Sequence, residues 1–216
     1  MDEAAMWQVI DEERAGLADL LDRLTPGQWA TPSLCAGWTV REVGAHLSLG
    51  PRMGLRRVLV EAVKARGGFD RMVDRTARRE ALRPAGELVA ELRAASGSRH
   101  LAPGQKLADC LMDVLVHGQD IAIPLGIDRP QPTAAARAAA EHTWNRGFPF
   151  HAQRRLRGYR LIATDTDWTA GTGRELRGPI TALLLLVSGR DAALPHLTGP
   201  GADALREARS RRSVTP

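Results

Sequence analysis

Residues four apart on an α-helix stand one above the other on the same face. The segment Asp113-Val-Leu-Val-His117 puts a carboxylate and an imidazole at that spacing. Such a pair can share one metal ion, or it can be a solvated ion pair on a helix surface. Cys110 lies three residues before Asp113, and Asp120 lies three after His117, so both extend the same face. The surrounding Leu107, Leu111, Val114, Leu115 and Ile121 are apolar. A polar stripe on such a core-facing helix costs free energy unless it is paired or metallated. Cys110 reads as a small apolar filler, with soft ligation as the alternative. Asp120 either orients His117 or another helix from behind or has a capping or surface role. A metal needs a further ligand. His46 sits mid-helix beside Val43 and Leu47, on a face expected to point inward, where a packed core histidine is the plain reading. His100, His142, His151 and His196 fall in loops, at helix ends or in the C-terminal part, and read as surface residues.

The elements that must position these groups follow from apolar periodicity. Trp7, Ile10, Leu17, Leu20, Leu21 and Leu24 predict a helix over 6–24, ended by Thr25-Pro26-Gly27. Thr39-Val-Arg-Glu42 has capping-box spacing, so the next helix starts at Val40. It is expected to run over 40–62, kinked beyond Pro51. Residues 70–80 are strongly charged and read as a helix or a mobile loop. Pro84 opens a short helix with Leu88, Val89 and Leu92 on its apolar face. Further helices are predicted over 105–123 and 133–146, the second Ala-rich. The first 147 residues thus read as a four-helix bundle. Gly158 to Ala163 alternates as a strand, Asp165 to Gly173 is turn-rich, and Arg174 to Arg177 suits a second strand. Pro179 precedes an apolar helix over Ile180 to Val187, and another helix is expected within 191–205. The fold class expected is mainly α: a bundle over 1–147, a small α/β domain over 148–206 and a flexible tail over 207–216.

Composition narrows the function classes. The chain has 216 residues, 44% hydrophobic and 25% charged, with a net charge of +5. That supplies enough apolar side chain for a core and excludes disorder as the main state. The longest apolar run, Ile180 to Val187 broken only by Thr181, is far short of the ~20 residues that span a bilayer. The N-terminus shows no signal peptide, and Cys35 and Cys110 cannot form a disulfide framework. A cytosolic protein is expected. Lys64 and Lys106 are the two lysines among 30 basic residues, and that arginine skew can reflect a GC-rich coding sequence. No basic stretch is interleaved with aromatic residues for base stacking, so no nucleic-acid partner is expected, and with no spanning apolar run no membrane partner is expected either.

Several segments together resemble the mycothiol-dependent maleylpyruvate isomerase family, a group of DinB-like four-helix metalloproteins. They are Leu24-Thr-Pro-Gly-Gln-Trp29, Pro32-Ser-Leu-Cys-Ala-Gly-Trp-Thr-Val-Arg-Glu42 and His46-Leu47, then Asp113-Val-Leu-Val-His-Gly-Gln-Asp120 with Ile121-Ala-Ile-Pro-Leu-Gly126. Ala163-Thr-Asp-Thr-Asp-Trp168, Gly171-Thr-Gly173, Gly178-Pro179, Gly189-Arg190 and Leu197-Thr-Gly-Pro-Gly201 resemble the family's C-terminal domain, in the same order. The resemblance implies a metal held by His46, Asp113 and His117. It departs at Asp113, where the family usually carries Glu, one methylene longer.

Two histidines and one carboxylate leave open positions on a metal, as catalytic zinc sites do; iron, nickel or manganese would also accept that set. The resemblance further implies mycothiol as a low-molecular-weight thiol cofactor, held as a thiolate by the metal. In an isomerase the thiolate adds across a cis double bond, the new single bond rotates, and loss of the thiol leaves the trans product. An S-transferase stops after addition to a small-molecule electrophile. Arg190, in the Gly-Arg motif, is the candidate catalytic residue, as a bidentate carboxylate binder or else a structural salt-bridge partner. A non-catalytic metal- or small-ligand-binding protein of the same fold is the alternative.

Overall fold

Asp2 caps the first helix, its carboxylate accepting from the Ala5 N–H at 2.8 Å. This helix, α1 (Glu3–Asp22), buries Trp7, Ile10, Leu17 and Leu21 on one face. Thr25 and Gln28 then form a reciprocal cap on the short α2 (Pro26–Trp29). At the predicted start of α3 (Val40–Leu49), the Thr39 N–H donates to Glu42 Oε2 at 2.8 Å. In this computed structural model, which describes residues 1–214, one unit comprises Asp2–Pro130 and a second begins at Gln131.

The expected helix over 40–62 is two helices. A 3-10 turn, Gly50–Arg52, follows α3, and Met53 leaves the helical region before α4 (Leu55–Lys64) begins. Pro51 has no N–H to continue the ladder, and its ring crowds the preceding turn. Residues 70–80 are helical, within α5 (Phe69–Glu80). Then come α6 (Ala85–Ala94) and α7 (Leu107–Ala122). Helices α1, α6, α3 and α7 pack in a closed ring, each against two others, which makes the four-helix bundle. Its fourth member is therefore α6, with Leu88, Val89 and Leu92 buried.

Gly118 brings α1 and α7 close to the chain that follows α7. A Cβ there would meet Arg129 Nε at 3.3 Å. The Arg129 guanidinium lies across this spot and donates to Glu13 Oε2 at 2.6 Å.

The predicted 133–146 helix, α8 (Thr133–Asn145), belongs to the second unit. Its face of Ala135, Ala136, Ala139 and Ala140 is buried against α10 (Ile180–Val187). Small side chains allow close approach, and α10, apolar almost all round, needs cover on several sides. Between them lie α9 (Ala152–Arg155) and three strands, β1 (Gly158–Ala163), β2 (Thr169–Gly171) and β3 (Gly173–Gly178). Strand β2 falls inside the segment read as turn, so the sheet has three strands where two were expected. The order is β2-β1-β3, with β1 antiparallel to β2 and parallel to β3. Gly173 has φ 121°, and a Cβ there would lie 2.1 Å from Gly158 O, so this crossing needs glycine. Apart from an isolated bridge between Pro32 and Thr39, no described residue before Gly158 pairs as a strand.

A 3-10 helix, Asp191–His196, leads to α11 (Pro200–Val214). Residues 207–214, read from sequence as tail, continue α11; 215 and 216 lie outside the described residues. No helix among the described residues is long and apolar enough to cross a membrane.

Candidate metal centre

Helices α3 and α7 are neighbours in the bundle, and α7 buries most of its length, so its polar stripe turns inward. This brings His46 of α3 to Asp113 and His117 of α7. His46 Nε2 and His117 Nε2 each stand 3.4 Å from the same oxygen, Oδ1 of Asp113. One ligand atom from each of the three residues lies within 4.8 Å of the others. The two imidazoles meet edge to face, 4.9 Å between centroids, and the Trp38 indole lies 5.6 Å from His46.

The donor set fits a divalent cation. Atoms bonded at ~2.0–2.1 Å to a tetrahedral zinc stand about 3.3 Å apart. The two 3.4 Å separations match that edge and exceed an ordinary charge-assisted hydrogen bond. Asp113, although one methylene shorter than Glu, reaches both imidazoles equally. Its side chain is 29% exposed, so the cluster has an open side.

Burial would raise the Asp113 pKa, but the adjacent imidazoles His46 and His117 override it and hold the carboxyl far below the usual range. Burial would likewise lower that of His117, but the charge of Asp113 and hydrogen bonds to Asp113, Asp120 and Cys35 raise it well above the ordinary histidine value.

Behind His117 the distances change character. Its Nδ1 lies 2.8 Å from Oδ2 of Asp120, whose side chain is fully buried. The Cys35 thiol donates to that same oxygen at 3.0 Å and lies 3.6 Å from His117 Nδ1. The first two are hydrogen-bond lengths, so this second trio of potential ligands holds His117 in place. With Nδ1–H donating to Asp120, Nε2 is the nitrogen that faces Asp113 and would give up its proton to a cation. Asp120 thus takes the orienting role open to it from sequence. The part of Cys35 was missed. Its place in the loop before α3 gave no sign that Leu34 N–H would reach Asp120 O at 3.2 Å and seat the loop on α7.

A cleft in this unit runs from Asp113 to Cys110, bounded by Leu47, Leu92, Arg14 and His100. Cys110 is buried and accepts from Arg14 Nη2 at 3.2 Å. Burial pushes its thiol up to about 11, and it belongs to neither trio of potential ligands. His100, exposed as expected, nevertheless borders the cleft and faces Met53 O at 3.2 Å. His151 and His196 are exposed and His142 half-buried. Arg190 lies in the second unit, where Nη1 donates to Ser188 O at 2.7 Å.

Residues 10–109 match the family described as the mycothiol maleylpyruvate isomerase N-terminal domain. The isomerase-type domain match includes His46 and stops short of Asp113 and His117, so the other two members of the trio rest on the geometry above. A crystal structure of the mycothiol-dependent maleylpyruvate isomerase superposes with TM-score 0.64 at 12% identity, covering 94% of each chain. A histidine-to-alanine mutant of the isomerase gives TM-score 0.62, also at 12% identity and 94% of each chain. At that identity the likeness shows a shared fold: a four-helix bundle followed by a small α/β domain. No curated protein matches the sequence.

Proposed function

We propose that this chain is a metal- and mycothiol-dependent enzyme of the maleylpyruvate isomerase type. His46, Asp113 and His117 would hold a divalent cation, zinc being one that this donor set suits. The observation that carries the reading is the meeting of two imidazole Nε2 atoms at one Asp113 oxygen, each at 3.4 Å. When bound, the cation would stabilise a thiolate and mycothiol would supply that sulfur, which is the chemistry of cis–trans isomerisation or of S-transfer to an electrophile.

The remaining work falls to the chain itself. Asp120 fixes the His117 tautomer and the direction of Nε2. Trp38 packs beside His46 and is itself held by a 2.9 Å hydrogen bond from its Nε1 to Asp74. The open side at Asp113 faces the cleft, from which substrate would have to approach. The reading extends to Arg190, whose planar fork suits a bidentate grip on a carboxylate. Arg190→Lys keeps the charge and loses the fork, and is expected to raise KM. A cytosolic location goes with this reading.

Metal analysis of the purified protein, paired with mycothiol titration, tests the proposal. About one equivalent of metal and thiol-dependent turnover of a cis-alkene or electrophile are expected. Lack of stoichiometric metal would overturn the site. Retained metal without thiol-stimulated turnover of any electrophile would make the chain a non-catalytic binding protein of the same fold.

A further inference from the structure

Helix α4 presents an apolar face to solvent. Leu55, Leu59 and Val63, spaced by four, lie along one side of it, with Val60 adjacent. All four are exposed, Val63 to 78%, and Phe69 at the start of α5 is exposed too. The opposite side is occupied. Glu61 and Ala65 are buried there, and Glu61 accepts from Arg79 of α5 at 2.8 Å.

Cations border the apolar face: Arg56, Lys64, Arg66 and Arg71 are exposed. Residues 52–83 contain ten basic and four acidic side chains. Three of the four acids are already engaged, Glu61 by Arg79 and Lys64, Asp74 by Arg78, and Glu80 by Arg52 and Arg83. Arg56, Arg66, Arg71 and Arg75, exposed and outside these ion pairs, leave a local excess of positive charge near the leucines and valines.

Against the expectation from sequence of no membrane partner, we infer that α4 is a docking face for an anionic lipid surface. A helix with large aliphatic side chains on one side and flanking arginine and lysine lies in the headgroup plane. Its apolar side enters the acyl boundary while its cations meet lipid phosphates. The ten residues of α4 rise ~15 Å, about half a hydrocarbon core, so the helix lies along the membrane. The same charges oppose pairing of this face with a second copy, because like charges would face each other. Leucine and valine at its centre offer no stacking surface for nucleic acid.

Flotation of the full chain with vesicles tests this. Binding is expected to phosphatidylcholine vesicles containing phosphatidylglycerol, weakening as salt rises, and not to phosphatidylcholine alone. The double variant Leu59→Ser/Val63→Ser changes exposed positions only, and circular dichroism checks its fold. It should bind at least about tenfold more weakly, with metal content unchanged. Arg56→Gln/Lys64→Gln should lose the preference for anionic vesicles. Four results would overturn the inference: no vesicle binding, equal binding to both compositions, full binding by the serine variant, or a dimer in light scattering that the serine variant dissolves.

Discussion

His46 Nε2 stands 3.4 Å from Oδ1 of Asp113 at a sequence separation of 67 residues. The contact is too long for a good charge-assisted hydrogen bond, and His117 Nε2 repeats the same distance to the same oxygen.

If the trio holds a cation, each imidazole is indispensable, since two protein ligands seldom retain zinc. His46→Ala and His117→Ala should each abolish metal retention in elemental analysis of the purified protein. Cys110→Ala should leave it intact, because that thiol is bound to Arg14 instead. Asp113→Glu should preserve or improve retention. A metal-free Asp113→Glu protein beside a metal-loaded parent would contradict the assignment.

Asp120 accepts from His117 without belonging to the trio, so its removal should loosen the site rather than destroy it. Asp120→Asn is expected to weaken metal affinity by about 10- to 100-fold, the usual effect of losing such an outer partner. Competition with a chromophoric chelator would measure it, with Cys35→Ala showing a smaller change in the same direction.

The pair Asp113–His117 also couples metal binding to pH. Burial opposes both charges, yet their attraction lowers Asp113 and raises His117 in the metal-free protein. The His117 contribution to metal-free stability is complete below the ordinary histidine value of about 6.5 and is lost as pH rises through the raised value. A cation needs the neutral imidazole, so binding near neutral pH must expel that proton. Affinity should climb with pH until the raised His117 value is passed, and Asp113, already ionised, should add no proton. Calorimetry in buffers of different ionisation enthalpy would count the protons released; a count of zero at pH 7 would contradict the coupling.

Leu111 has no exposed surface and sits on α7 one turn from Leu115. Truncation to alanine should cost roughly 2–5 kcal/mol of stability, as buried leucines do. Denaturant melts would show it, and a cost below about 0.5 kcal/mol would mean the helix face is misplaced.

Features set by neighbours along the chain were legible in the sequence. The cap at Thr39 and Glu42, the strand at Gly158–Ala163 and the stacking of Asp113 under His117 follow from backbone geometry over a few residues. The convergence of His46 on that pair was legible through a resemblance, because no local rule joins residues on α3 and α7.

The amino-acid sequence by itself determined the main helices and the apolar face of each, since those depend on side-chain periodicity; it ran α3 and α4 together, left 70–80 open and read 207–214 as tail. Only the tertiary structure decided which faces meet. It put α6 rather than the 133–146 helix into the bundle, because the alanine face of α8 suits close approach to the apolar α10. It also brought Cys35 to the oxygen of Asp120 that accepts from His117. Burial selects among many compatible pairings by total packing, and that sum is not written in any one stretch of chain.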